Sequence, residues 1–142
     1  MAKQYLPLAL RRLVFQRALG RCEYCKSQAD FATQSFATEH IIPSAKKGTN
    51  DPDNLALACQ GCNAYKSAKT EAADPLTQRI APLFHPRQHV WHDHFDWDES
   101  FTQIIGLTPT GRATIRALRM NRPQLVRLRT VLFLLGEHPP EL

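Results

Sequence analysis

Four cysteines fall in two Cys-x-x-Cys pairs, Cys22/Cys25 and Cys59/Cys62, with none left over. Two residues between thiolates let a tight knuckle present both sulfurs to one ion, and two knuckles complete the tetrahedral shell that zinc prefers in structural sites. Free buried thiols, or a disulfide within each pair, are the competing uses; a cytoplasmic chain disfavours the disulfides. A closed four-sulfur shell leaves no open coordination position, so zinc held here would stabilise structure and do no chemistry.

Between and beside the knuckles stands a second set: Glu39-His40, Asn54, and Asn63 directly after the last cysteine. His40 is the only histidine in the front half of the chain. An imidazole with an ordinary pKa near ~6.5 is largely neutral at working pH and can take a proton from water. The oxygens of Glu39 and Asn63 are ligands of the kind a hard ion such as Mg2+ or Mn2+ selects. An activated water together with a cation that clamps developing charge is what hydrolysis of a phosphodiester requires.

The elements that must position these groups can be read from spacing. Pro7 followed by Leu8, Leu10, Leu13, Val14 and Ala18 predicts a helix over about 7–19 that stops at Gly20. Phe31 to His40 predicts a short strand ending near Glu39, and Asn54 to Cys59 a second one, with a polar loop from Pro43 between them. Good helix formers from Asn63 to about Ala73 predict a helix that ends before Asp74-Pro75, and Asn63 could cap it. Further on, Trp91, Phe95 and Trp97 share one parity, which predicts a strand with an apolar face. Thr108-Pro109 predicts a capped helix through Leu118. Pro123 starts another helix, whose stripe of Leu125, Leu128, Leu132 and Leu135 runs to Gly136.

The order knuckle, Glu39-His40-Ile41-Ile42-Pro43, polar loop, Asn54-Leu55, knuckle, Asn63 and Lys66 resembles the HNH endonuclease family over roughly residues 15–70. The resemblance implies an α+β fold: a zinc-stapled ββα-metal (His-Me finger) core, here about 7–74, with an N-terminal helix. A mixed strand and helix extension over about 75–142 would complete a single domain of residues 1–142. It further implies that Glu39 and Asn63 bind the catalytic metal, that His40 is the general base, and that Asn54 pins the loop so that His40 is aimed. Lys66 stands where the family contacts phosphate; Lys69, Lys46 and Lys47 are candidates for the same use. Two departures stand out. Asn63 replaces the histidine of many members, changing a nitrogen ligand to oxygen, and Lys46-Lys47-Gly48 stands where a Gly-Gly pair is common.

The expected activity is therefore metal-dependent endonucleolytic cleavage of nucleic acid, with DNA as the expected substrate. The alternative is a non-catalytic zinc-binding module that binds nucleic acid or a protein partner. A lapsed enzyme has no need of acid, histidine and asparagine together, which favours cleavage.

Composition is compatible with this and decides little by itself. The formal net charge is +5. Residues 1–70 carry ten Lys/Arg against five Asp/Glu, whereas residues 71–142 carry eight of each, so the excess lies with the motifs. No apolar run approaches the roughly 20 residues that span a bilayer, and Met1 to Leu10 lacks the pattern of a secretory leader, which points to the cytoplasm. In the back half, His92, His94 and Asp96 share a parity and could form a second metal site, though a solvated strand face is the ordinary use. Arg112, Arg116 and Arg119 fall on one helical face, suited either to a nucleic-acid backbone or to the acids between Asp93 and Glu99.

Overall fold

Helix α1 (Leu8–Arg17) opens a computed structural model that describes residues 5–140. Residues 1–4, part of the Met1–Leu10 stretch read above for a leader, lie outside the described residues, as do 141 and 142. The Pro7 carbonyl accepts the Leu10 and Arg11 amides, and the helix ends ahead of Gly20, whose φ of +69° suits glycine. Val14 is fully buried against Leu55 and Leu57, a burial that stabilises by about 1.5–3 kcal/mol. Arg17 clasps the neighbouring loop, donating to the carbonyls of Pro52 at 2.8 Å and Leu55 at 2.5 Å.

Strands β1 (Ala37–His40) and β2 (Leu55–Ala58) pair antiparallel, with Glu39 opposite Ala56 and His40 opposite Leu55. Helix α2 (Gln60–Lys66) follows and completes a ββα unit. The first strand is shorter than expected: Ala29–Phe31 is a 3-10 turn, and extended pairing begins only at Ala37. Helix α2 is also shorter and earlier. Cys59, not Asn63, is its cap, its Sγ accepting from the Cys62 amide at 3.5 Å. The helix stops at Ser67, whose φ is +50°. Glu71–Ala73, expected to be helical, forms β3 and pairs with β4 (Ile80–Pro82), so a tertiary ladder overrides helix propensity.

The Trp91–Trp97 segment departs in an instructive way. Its first half is a single helical turn, α3 (Trp91–His94), and only Phe95–Trp97 is a strand, β5, paired with β6 (Ile104–Gly106). Positions i and i+4 share a face in a helix as they do in a strand, so parity could not separate the two. The rings of Trp91 and Phe95 lie 5.1 Å apart and those of Trp91 and Trp97 5.7 Å, on one apolar face.

Helix α4 (Pro109–Leu118) starts as expected, Thr108 Oγ1 accepting from the Gly111 amide at 3.0 Å. In α5 (Pro123–Leu134) the apolar stripe ends at Leu132; Leu135 is 68% exposed. One core cluster joins the front half to the back: Cys22, Tyr24 and Ala56 pack with Phe84, Trp91, Phe95, Leu118 and Leu125. The architecture is α+β, with three two-stranded antiparallel sheets among the described residues and helices around a cysteine-lined core. Among the described residues no helix is long and apolar enough to cross a membrane.

Candidate functional site

The four cysteine sulfurs lie within 4.8 Å of one another, and all four cysteines are buried and free of disulfides. A tetrahedron with Zn–S bonds of about 2.3 Å has edges of roughly 3.8 Å. The Cys25 and Cys59 sulfurs are 3.6 Å apart, close to that edge. Within each knuckle the amide of the second cysteine points at the first sulfur, at 3.5 Å in both. Burial pushes the Cys22 thiol well above its ordinary range, and four ionised sulfurs at this spacing would repel strongly. A divalent ion removes that repulsion, so the donor set fits structural zinc.

Arg122 completes the surroundings of the centre. Its Nη2 lies 3.4 Å from Cys59 Sγ and its Nη1 3.8 Å from Cys62 Sγ, bringing a fixed positive charge to sulfurs that carry excess negative charge around zinc. Gly61, inside the second knuckle, makes room for it: a Cβ there would fall 2.3 Å from Arg122 Nη2. The first knuckle is anchored to β2 by Glu23, whose amide donates to the Leu57 carbonyl at 2.9 Å and whose Oε2 accepts the Leu57 amide at 2.8 Å.

The end of β1 carries the second set. Alternation along the strand turns Glu39 inward, to 6% exposure, and leaves His40 half-buried at the edge. Glu39 Oε1 accepts a short hydrogen bond from the Tyr24 hydroxyl, and Oε2 lies 3.2 Å from the Lys66 ammonium. Burial raises the Glu39 carboxyl above its ordinary range, while Lys66 opposes that rise. Lys66 is only 1% exposed and also donates to the carbonyls of Ile41 at 2.9 Å and His40 at 3.3 Å. It ties α2 to the end of β1, and its ammonium does not stand at the surface where the resemblance put a phosphate contact.

Asn54 closes the loop between the strands. Its side chain accepts from the Ile42 amide at 2.9 Å and donates to the Ile42 carbonyl at 3.0 Å and the Thr49 carbonyl at 2.8 Å. The clamp grips the chain at Ile42, two residues beyond His40, whose Nε2 lies 2.7 Å from Asn50 Oδ1 in the same loop. The loop's departures from the family pattern are absorbed locally. Lys47 itself takes the left-handed conformation, with φ +68°, and Gly48 is packed so closely that a Cβ would meet the Ile42 carbonyl oxygen at 1.6 Å.

Asn63 is half-buried on the first turn of α2, and its side chain has no hydrogen-bond partner among the described residues. Lys46, Lys47 and Lys69 are exposed, Lys69 donating to the Tyr65 carbonyl at 2.9 Å. The second metal site does not assemble: among the described residues the cysteines are the only group of His, Cys, Asp and Glu gathered closely enough to hold an ion. His94 Nδ1 instead lies 2.6 Å from Thr108 Oγ1, and Asp96 accepts from the Trp97 amide. Sequence reasoning missed Tyr24, Asn50 and Arg122. Asn50 could be suspected from its place in the polar loop, but nothing local marks Arg122, 60 residues away from Cys62 along the chain.

Comparison with curated proteins and with solved structures returned no match. Comparison with family models matched residues 22–69, from the first knuckle cysteine past the end of α2, to the model described as HNH endonuclease.

Proposed function

We propose that the protein is a metal-dependent endonuclease that hydrolyses phosphodiester bonds in nucleic acid, DNA before RNA, in the cytoplasm. The observation that carries the reading is the setting of His40. With Asn50 Oδ1 as the acceptor at 2.7 Å, Nε2 carries the imidazole proton, and Nδ1 is left with the lone pair that takes a proton from water. Asn54, by holding both Ile42 and Thr49, fixes the strand end and the loop that together aim the ring. Clustered, unpaired thiols suit a reducing compartment.

The catalytic ion would be Mg2+ or Mn2+, held by oxygens of Asn63 and Glu39. Bound there, it supplies a positive charge to the phosphate oxygens as the bond breaks. Asn63 brings an uncommitted amide. Glu39 retains one lone pair on each oxygen after accepting from Tyr24 and pairing with Lys66. It shares its charge with a resident ammonium, so the larger loss of ion binding belongs to Asn63. Lys46, Lys47 and Lys69 remain at the surface to meet the backbone of the substrate.

The Glu39–Lys66 pair also gives the second reading its one specific support, since it employs two signature residues structurally, as a non-catalytic zinc module bound to nucleic acid or protein would. The two separate in one experiment. Plasmid DNA and single-stranded DNA are incubated with zinc-loaded protein, with and without Mg2+ or Mn2+. Cleavage is expected only with the added ion. His40→Ala should lower turnover about 100- to 10,000-fold, roughly 3–5 kcal/mol of barrier, with zinc content unchanged. Asn63→Ala should recover partly at high Mn2+, and His40→Ala should not. Near-native turnover in His40→Ala would overturn the mechanism, and binding without cleavage in every condition would favour the zinc module.

A further inference from the structure

Residues 100–136 contain six arginines and no aspartate or glutamate. Three of the six are consumed by the fold. Arg112 makes two bonds of 2.9 Å to Asp74, Arg122 lies against the knuckle sulfurs, and Arg129 is buried, donating to the carbonyls of Met120 and Thr102. The acids from Asp93 to Glu99 take none of them: among the described residues, Arg112 with Asp74 is the only ion pair this stretch makes.

Arg116 and Arg119 are exposed and without a carboxylate partner among the described residues. They line, with Tyr65, Asn121, Arg122 and Gln124, a groove of about 460 Å³ between α2 and the α4–α5 turn. No acidic residue lines the groove. The Arg119 guanidinium lies over the Tyr65 ring, 4.8 Å from its centre, and Arg122 approaches the same ring at 5.8 Å. Arg119 reaches this position from a left-handed backbone, φ +49°, at the end of α4. An arginine held over an aromatic ring has given up part of its rotamer freedom before any ligand arrives. Like charges gathered on one wall repel, and an anion with several acceptor oxygens relieves the repulsion while matching the planar guanidinium forks.

We infer that this groove binds the phosphodiester backbone of a nucleic acid, at a point away from the bond being cleaved. The inference rests on the nucleic-acid reading of the protein and adds to it a surface that the lysines of the motif do not include. Helical geometry fixes its relation to the chemistry. Tyr65 and Asn63 are two residues apart on α2, so their side chains leave the helix about 200° apart. A strand seated on Tyr65 and the arginines is held without touching the Asn63 side, and the groove should therefore affect binding and leave turnover alone.

The test is the double variant Arg116→Ala/Arg119→Ala, with Arg127→Ala, also exposed, as a single-charge control elsewhere on the same helical layer. Binding of a labelled 20-base-pair DNA duplex is followed by fluorescence anisotropy over a salt series, in zinc-loaded protein without added Mg2+ or Mn2+. Loss of two duplex phosphate contacts should reduce the slope of log affinity against log salt by about 1.8. Arg127→Ala should leave the slope unchanged. In cleavage assays the double variant should show a raised KM at unaltered kcat. An unchanged slope in the double variant, or an equal loss of slope and affinity in Arg127→Ala, overturns the groove while leaving the nuclease reading intact. Duplex binding without any cleavage by the wild-type protein overturns the nuclease reading, and the slope comparison still decides the groove. Wild-type protein that binds no duplex overturns both.

Discussion

The cysteine centre and the end of β1 lie on the same ββα unit but are held by different means. At the centre, the four thiol groups meet each other directly, all buried, and a distant arginine is brought in behind them. At the strand end, the group offered to solvent is His40, while Glu39 beside it is turned into the core and paired with Lys66 and Tyr24. The His40 ring contacts Asn50 of the loop, and Asn54 bonds the backbone two residues beyond it. The difference separates two uses of polar residues. Those at the centre are closed in on one another, whereas His40 stays half-buried at the strand edge while its neighbours Glu39 and Lys66 are taken into the core.

The largest expected effect breaks the centre. Structural zinc in finger peptides contributes on the order of 10–16 kcal/mol, comparable with the whole stability of a small domain. Cys59→Ser should therefore lose zinc and unfold the ββα unit, whereas His40→Ala should melt as the wild type does. Metal analysis with circular dichroism checks both. Folded, zinc-free Cys59→Ser protein would remove the distinction between the two regions.

Lys66 tests the claim that a signature residue is structural. Lys66→Met leaves the Glu39 carboxylate buried without its cation, and breaking such a pair costs about 3–5 kcal/mol. Burial raises the Glu39 carboxyl above its ordinary range even while Lys66 opposes the rise, and the variant removes that opposition. The sign follows: ionised Glu39 is a cost that appears as pH rises, and the destabilisation should shrink as pH is lowered towards the acid's raised value. Denaturant melts of Lys66→Met at pH 7.5 and 5.5 measure this. Lys46→Ala, by contrast, should leave stability unchanged, and equal losses in the two variants would place Lys66 at the surface with Lys46.

These cases also show what was legible in the residues alone. The knuckles and the capped start of α4 were readable because each depends on local spacing, whereas Asn54 is singled out by the resemblance alone. The motif position of Lys66 names a neighbourhood and says nothing of which way the side chain faces; in the fold it turns inward, to Glu39 and the Ile41 carbonyl. Trp91 to Trp97 was misread in part because a helical turn and a strand both put 91 and 95 together. Arg122 was invisible since its partners are thiolates 60 and 63 residues distant. The size of Gly61, which admits it, carries no signal until the arginine is known to be there.

A smaller effect is expected behind the zinc. Groups that support metal ligands from behind are commonly worth about 10- to 100-fold in metal affinity. Arg122→Ala should release zinc to a chromophoric chelator faster by a factor in that range, while the protein still folds when zinc is supplied. Gly61→Ala should reproduce the change by displacing the guanidinium, because the added Cβ has no room beside it. Zinc release at the wild-type rate in both variants would mean that the C-terminal extension only covers the centre and does not support it.

The smallest effect lies at the turn between β3 and β4. Asp74 accepts from the Leu76 amide and the Thr77 hydroxyl at 3.0 Å each, and pairs with Arg112 through both oxygens. Arg112, foremost, holds the Asp74 carboxyl well below the usual carboxylate range. The native state thus prefers ionised Asp74, so its stabilisation is complete above the ordinary value near ~3.9 and is lost as pH falls below it. Partial exposure of Arg112 lets solvent screen the pair, which keeps the effect small. Acid also protonates the cysteines and releases zinc, so the wild-type curve alone cannot report on Asp74. The difference between wild type and Asp74→Asn cancels that shared loss. It should be largest near neutral pH and shrink as pH approaches 3, in melting temperatures measured side by side. A difference that stays constant across that interval would show that the turn is held by its backbone and its hydroxyl bond, with the charge of Asp74 contributing nothing.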